Sequence, residues 1–274
     1  DISVTGILPV PTVNVAGSVF SKFYANDGTS SEAQLVAVSG NNLTNPIVVG
    51  PASGYEFSTS STGPFSSSIS LPLTGGSVSS TFVYTRLAVN PVGTYSTTVS
   101  FSSTSAPTIN RSASGQVYSN GAPFTTGNIV TLRVGEVGGP ALTTAAAPVF
   151  IDEYTTSGTF VQSVPMPFKS GAGQRKFSIN GTSTTEGFLN LSPDGQYLSF
   201  GGYDAIPGTA SISTTGAASV NRVVARVTQN GAINTSTAIS DGHDAGSIRS
   251  ACTVDGTAFW TGGAGTGGGN RYVL

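Results

Sequence analysis

The chain contains 274 residues, of which 38% are hydrophobic and only 9% are charged, and its formal net charge is −2. Soluble domains usually carry roughly 25% charged residues. The lysines and arginines are scattered, with only Arg175 and Lys176 adjacent, which excludes a basic surface for nucleic acid. This composition is typical of secreted β-proteins, whose surfaces are hydrated by hydroxyl and amide groups. It predicts an extracellular or bacterial cell-surface protein.

Cysteine content and hydrophobicity agree with export. Cys252 is the only cysteine, so no internal disulfide forms; large β-domains do not need such cross-links, and their absence favours a bacterial exported protein. No segment approaches the roughly 18 apolar residues of a membrane-spanning helix, so we expect no membrane insertion. The chain begins at Asp1 without a signal peptide, which indicates a processed or excerpted product.

Short alternating apolar runs bounded by Gly, Pro, Asn and Asp, with no capped amphipathic segment, predict an all-β fold. Six strands are predicted in residues 1–112, at Gln34–Val38, Ile47–Val49, Tyr55–Ser58, Ser68–Leu71, Ser80–Leu87 and Gly93–Ser102. Strands roughly ten residues apart, separated by turn signals, are typical of a β-sandwich. We expect the domain boundary between Ala106 and Gly127, where the charge density rises.

The order of four segments in this region resembles a known family. The segments are Val36–Thr44, Pro51–Thr59, Val83–Leu87 and Pro91–Ser96. They are similar to the Ig-like repeats of large secreted proteins of Bacteroidetes and related bacteria. The resemblance implies a seven-stranded sandwich over residues 1–112 that serves as a spacer or presenting module without an active site.

Residues 113–274 contain an internal repeat. Leu191–Gly202 aligns without a gap with Cys252–Gly263, and upstream Tyr154–Phe160 is echoed by Val227–Ile233. Each copy has the order strand, tight turn, strand, gap, strand, Asp-Gly turn, strand. Asp-Gly and Asn-Gly between apolar runs predict β-hairpins, because such turns need positive φ angles. Two hairpins per repeat predict a four-stranded unit, the blade of a β-propeller.

The Ser-Pro-Asp-Gly form at Ser192–Gly195 resembles the blade hairpin of bacterial β-propellers. The wider region, with Val149–Tyr154 and Ser219–Val224, is similar to a group of secreted bacterial propeller-like proteins. This resemblance implies a fold and no activity. At 40–45 residues per blade, residues 113–274 supply only about three or four blades. We therefore expect an incomplete propeller, completed by a missing C-terminal part of the polypeptide or by other protein chains.

His243 is the only histidine and lies between Asp241 and Asp244. This trio suggests a metal site or a general base beside a carboxylate. Zinc sites, however, usually take three or four His or Cys ligands, and no Gly-x-Ser-x-Gly motif accompanies the histidine. The sequence favours a polar turn at His243, without a metal or other cofactor.

The acidic residues also favour structural roles. Asp194 and Asp255 precede Gly195 and Gly256 at matching turn positions, where their carboxylates are expected to accept hydrogen bonds from turn amides. The adjacent Asp152 and Glu153 point to opposite faces of a predicted strand and cannot pair with each other. A glycosidase would need one of them to pair with another acid, Asp204 or Glu186, at about 5–10 Å.

Three aromatic residues are candidate ligand contacts. The aromatic side chains that can stack on sugar rings are Tyr203, Trp260 and Tyr272. His243 is a further candidate ligand contact. Aromatic residues in propeller strands, however, usually belong to the core. Cys252 aligns with Leu191, which predicts a buried, small apolar side chain.

These observations favour a non-enzymatic extracellular module for display, adhesion or assembly, whose partners are other protein chains or surface glycans. One alternative is a carbohydrate-binding or carbohydrate-active propeller fragment. Another is a subunit of an extracellular filament or a cargo of a secretion system, because unpaired sheet edges promote assembly.

Overall fold

A computed structural model describes residues 9–104 and 106–274. Within these residues the chain is all-β, as predicted, and its one helical element is a three-residue 3-10 turn at Ile212–Thr214. The chain divides into two compact units between Val117 and Tyr118.

The first unit contains two sheets. Its strands are β1 (Thr12–Ala16), β2 (Phe23–Asn26), β3 (Gln34–Asn41), β4 (Ile47–Val49), β5 (Tyr55–Ser58), β6 (Ile69–Leu71), β7 (Val78–Leu87), β8 (Gly93–Ser103) and β9 (Ala106–Tyr118). One sheet has the strand order β1-β3-β7-β5 and the other the order β2-β9-β8-β4-β6.

Both sheets contribute to one hydrophobic core. Val36 of β3, Phe57 of β5 and Phe101 of β8 are fully buried in the same cluster. Alternation sets which residues enter it: in β7, Val83 is buried whereas its neighbour Phe82 is 57% exposed. Each fully buried side chain of this size contributes about 1.5–3 kcal/mol, so the core holds the two sheets together.

All six strands predicted in this unit are present, but β1, β2 and β9 were not predicted. Strand β9 is the longest, at 13 residues, and pairs with β8 from Gly93↔Val117 to Ser103↔Ala106. Ser112, the predicted end of the first domain, lies in the middle of this strand.

The second unit contains four sheets of short strands. Its strands are β10 (Ile129–Val134), β11 (Ala146–Ala147), β12 (Val149–Tyr154), β13 (Phe160–Pro165), β14 (Ile179–Asn180), β15 (Asn190–Leu191), β16 (Tyr197–Tyr203), β17 (Arg222–Thr228), β18 (Ile233–Asn234), β19 (Ala238–Ile239), β20 (Ile248–Thr253), β21 (Phe259–Gly263) and β22 (Gly269–Val273). The strand orders are β10-β12-β13, β11-β14, β15-β16-β17-β18 with β19 also on β17, and β20-β21-β22.

The hairpins expected from the repeat are formed, but they combine differently from the prediction. The first repeat was expected to join the β12–β13 and β15–β16 hairpins in one sheet. Instead β16 pairs along its whole length with β17, from Tyr197↔Thr228 to Tyr203↔Arg222. The four-stranded path therefore combines the end of one repeat with the start of the next, and the connection between β16 and β17 contains the 3-10 turn.

Candidate functional site

The outer side of the β20–β22 sheet carries a row of exposed side chains. Cys252 lies opposite Trp260, and Trp260 lies opposite Tyr272, on three neighbouring strands. Trp260 is 43% and Tyr272 56% exposed, and their ring centroids are 5.3 Å apart at an interplanar angle of 58°. We call these three residues the aromatic face.

A notch lined by polar groups lies beside the aromatic face. Gly262, two residues after Trp260 and on the same side of β21, has Ser250 and Asn270 as its cross-strand neighbours. A Cβ at Gly262 would lie 3.2 Å from Ser250 Oγ and 3.6 Å from Asn270 Oδ1, with no other atom within 4 Å. Aromatic rings beside a hydroxyl and an amide are suited to bind a sugar, whose apolar face stacks while its hydroxyls form hydrogen bonds.

The exposure of this row corrects two expectations. Cys252 was predicted to be buried, but it is exposed, because its neighbours Ala251 and Thr253 occupy the inward positions of β20. Leu191, with which it aligns, is itself 64% exposed, so the alignment is right and the inference of burial is wrong. The expectation that aromatic residues here belong to the core is likewise wrong for Trp260 and Tyr272.

Tyr203 is not available to a ligand, which corrects its inclusion among the candidate contacts. Its side chain is fully buried, and its hydroxyl donates to Glu186 Oε1 at 2.9 Å. Burial and the neighbouring carboxylate raise the pKa of the phenol above its usual value. The guanidinium of Arg222 lies over the ring, 5.2 Å from its centroid.

Arg222 is a buried cation that no sequence pattern marked as important. Its side chain is fully buried, and burial lowers its pKa. The guanidinium donates to four backbone carbonyls, those of Thr215 at 2.7 Å, Val220 at 2.8 Å, Gly246 at 2.9 Å and Ser213 at 3.4 Å. These bonds tie the surrounding loops to the guanidinium, whose Nε has no hydrogen-bond partner among the described residues, and the buried charge offers nothing to solvent.

His243 lies in a bend between strands, but its side chain is buried, which corrects its inclusion among the candidate ligand contacts. Its Nε2 shares a hydrogen bond with Thr261 Oγ1 at 3.0 Å, and desolvation lowers its pKa. The flanking acids are engaged elsewhere: both carboxylate oxygens of Asp241 accept from Arg271 Nη2 at 2.9 Å, and Asp244 accepts from the amide of Ala217. No group of three metal-ligating side chains occurs in the part of the chain that the structure describes.

Asp194 and Asp255 lie in the turns of the β15–β16 and β20–β21 hairpins. Asp194 Oδ1 accepts from the amide of Gln196, and Asp255 Oδ1 accepts from the amide of Thr257, both at 3.0 Å. Hydrogen bonds lower both pKa values, for Asp194 chiefly the one from Ser192 and for Asp255 chiefly the one from the Thr257 amide.

Asp152 and Glu153 have separate partners on the two sides of β12. Asp152 pairs with Arg133 Nε at 2.6 Å and accepts from Ser163. Glu153 accepts from the Thr125 amide and from two side-chain amides, those of Asn128 and Gln162, all at 2.7 Å. Burial opposes ionisation of Glu153, but these hydrogen bonds outweigh it and lower the pKa. Both carboxylates are thus occupied by structural contacts.

Comparison with known proteins gave no family assignment. No protein-family model and no curated protein matches the chain. Among solved structures, domains 5–6 of the S-layer protein SbsC are 12% identical, with 83% of this chain and 94% of that one covered and a TM-score of 0.22. A Ca²⁺-stabilized adhesin that helps an Antarctic bacterium bind ice is also 12% identical, with 97% and 72% covered and a TM-score of 0.17.

In the described residues, no helix is both long enough and apolar enough to span a membrane.

Proposed function

We propose that the chain is a non-enzymatic module of a bacterial cell surface, in which an Ig-like sandwich presents a propeller-like β-domain for adhesion. The two sheets that enclose one core support the assignment of the first unit as Ig-like. The antiparallel meander β15–β18 supports the assignment of the second unit as propeller-like. The low charge of the chain supports an extracellular location.

The observation that carries the adhesive role is the aromatic face. Trp260 and Tyr272 lie side by side at the surface and leave 43% and 56% of their area exposed, although tryptophan and tyrosine are highly buried on average. Paired exposed aromatic rings are typical of binding surfaces. Together with the Ser250 hydroxyl and the Asn270 amide beside Gly262, the two rings favour a surface glycan as the ligand.

Retention on insoluble polysaccharides tests this role. We expect the protein to sediment with one of a panel of cell-wall and extracellular polysaccharides, and Trp260→Ala to abolish retention. Phe160→Ala is a matched control, because Phe160 is 55% exposed and pairs with Tyr154 across β12 and β13 in a second aromatic pair at 5.7 Å. Equal retention of the Trp260→Ala variant and the wild type would reject the aromatic face as the adhesive surface.

The same incubations separate binding from catalysis. We expect no release of reducing ends from any polysaccharide, because Asp152 and Glu153 are held by structural partners. Release that Asp152→Asn or Glu153→Gln abolishes without unfolding the protein would favour the carbohydrate-active alternative.

Assembly through a sheet edge is a second candidate. Within the described residues β22 pairs on one side only, with β21, and an open edge can accept a strand from another chain. We expect concentration-dependent self-association in sedimentation velocity, which Asn270→Pro in β22 should weaken. A monomer at all concentrations would reject self-assembly and leave adhesion unaffected.

A further inference from the structure

The second unit has an open pocket whose lining is mainly polar. It has a volume of about 450 Å³ and lies where β17, β18 and β19 approach the turn between β20 and β21. Its polar lining consists of two arginines, one amide and three hydroxyl groups, from Arg175, Arg226, Asn234, Ser236, Thr237 and Thr257. None of these residues belongs to the aromatic face.

Arg226 is the positive charge of the pocket without a carboxylate partner. Across residues 9–104 and 106–274 it forms no ion pair, whereas Arg175 is neutralised by Asp204 at 2.9 Å. Arg226 donates one hydrogen bond in the described part of the chain, from Nη1 to the carbonyl of Gly256. A guanidinium has five N–H groups, so most of its donors remain for a ligand.

The guanidinium is also held in a fixed orientation. Its carbon lies 5.1 Å from the centroid of the Tyr197 ring, and the Gly256 carbonyl fixes one nitrogen. The turn comes this close only because Gly256 has no side chain: a Cβ there would lie 2.9 Å from Arg226 Nη1 and 2.9 Å from Tyr197 Cζ. A guanidinium held in this way loses little conformational entropy when it binds a planar anion.

We propose that this pocket binds the anionic group of an acidic saccharide, a uronate or a sulfate ester. The free edge of Arg226 pairs with the carboxylate or sulfate, which is the geometry that guanidinium groups recognise best. The Ser236 hydroxyl donates to Asn234 Oδ1 at 2.8 Å, which leaves the Asn234 NH2 group, the Ser236 oxygen as an acceptor and the Thr237 hydroxyl to contact the sugar hydroxyls. Asp255, the acid next to the pocket, is turned to the amide and hydroxyl of Thr257. The inference deepens the proposed adhesive function by naming a ligand class, but it uses different residues.

Titration calorimetry with three oligosaccharides of equal length tests the proposal: an oligogalacturonate, a sulfated oligosaccharide and a neutral glucan. We expect an acidic ligand to bind and the neutral one not to bind in this pocket. Arg226→Gln should weaken binding at least about tenfold, the loss of a charge-assisted hydrogen bond. Binding should also weaken as salt is raised. Preference between the two acidic ligands distinguishes a uronate from a sulfate ester.

Two control variants make the result specific. Arg249→Gln removes an exposed arginine of β20 that does not line the pocket, and it should leave the affinity unchanged. Thr237→Val removes a hydroxyl of the pocket and leaves Arg226 in place; we expect a loss of about threefold to tenfold, so the proposal stays testable if Arg226→Gln does not fold.

The outcomes separate this proposal from the adhesive role of the aromatic face. Acidic-saccharide binding that survives Trp260→Ala but not Arg226→Gln supports the pocket even if adhesion to polysaccharides fails. The proposal is overturned if neither acidic ligand binds, if Arg249→Gln weakens binding as much as Arg226→Gln, or if Thr237→Val has no effect.

Discussion

The β15–β16 and β20–β21 hairpins have matching sequences and different surroundings. Ser199 and Trp260 occupy equivalent positions, yet Ser199 is fully buried and donates to the carbonyl of Ala251, whereas Trp260 is exposed. At the next position Phe200 packs edge-on against Phe177, with centroids 5.2 Å apart, and Thr261 instead bonds to His243.

The repeat encodes the backbone of each hairpin and not the environment of its side chains. The Asp-Gly turn and the Gly-Gly pair at the end of each hairpin specify its backbone, because they permit the turn and the close approach of neighbours. The residues between them decide whether the hairpin lies against apolar or polar groups. The first copy is a core element, and the second presents one side to solvent, where it carries the aromatic face.

The largest difference should appear at Phe200 and Thr261. We expect Phe200→Ala to lower the free energy of unfolding by about 3–5 kcal/mol through the cavity it leaves. Thr261→Ala should cost about 1–2 kcal/mol, because it removes only the partner of the His243 ring. Urea unfolding followed by fluorescence of Trp260, the only tryptophan, measures both. Equal losses would mean that the two hairpins have the same structural weight.

The Gly-Gly pairs provide a second test. A Cβ on Gly201 would lie 2.6 Å from Ile248 Cγ1, whereas one on Gly262 would meet nothing closer than 3.2 Å. We expect Gly201→Ala to destabilise the protein by about 1–3 kcal/mol through overpacking, and Gly262→Ala to change stability by less than about 0.5 kcal/mol. Calorimetric melting temperatures give the ranking, which a similar shift for both variants would refute.

The turn glycines differ more subtly. Gly195 and Gly256 both have positive φ angles, 71° and 77°, so alanine brings the same backbone strain of about 1–2 kcal/mol at either position. Only at Gly256 does the added Cβ approach Arg226 and Tyr197; nothing lies within 4 Å of it at Gly195. We expect Gly256→Ala to cost about 1 kcal/mol more than Gly195→Ala in urea unfolding. A loss for Gly195→Ala that equals or exceeds the loss for Gly256→Ala would contradict the tight packing of Arg226 and Tyr197 against Gly256.

The smallest effect concerns pH. Desolvation, with Arg271 and Arg222 nearby, lowers the pKa of His243 in the folded protein, so the unfolded chain binds the proton more readily. Stability should be largest above about pH 7 and fall as pH decreases through the unfolded pKa near 6.5, by at most about 0.7 kcal/mol between pH 7 and 6.

The first hairpin has Phe177 in the corresponding place and adds no such dependence. His243→Asn, which tolerates the positive φ of 53°, should flatten the curve in this range. An unchanged pH profile of this variant would show that another group titrates.

The sequence was sufficient for strands that alternate apolar and polar residues, such as β7, and for the turns at Asp194 and Asp255. It was insufficient for β9, because the buried residues Ala113 and Val117 lie near its end and its start, with a proline and the polar residues Thr108, Asn110 and Arg111, is typical of a linker. Tyr203 and Trp260 both looked like strand aromatics. Their opposite exposures depend on which strands pack against them, and a local pattern contains no such information.

The carbonyl cage around Arg222 has a consequence for how the second unit opens. The four carbonyls that bind its guanidinium belong to Ser213, Thr215, Val220 and Gly246, which include segments well separated along the chain. No one of these segments can separate from Arg222 without leaving the buried guanidinium with unsatisfied hydrogen-bond donors. Amide hydrogens in the 3-10 turn, in β17 and around Gly246 should therefore exchange with solvent through one shared opening event, as a single cooperative unit.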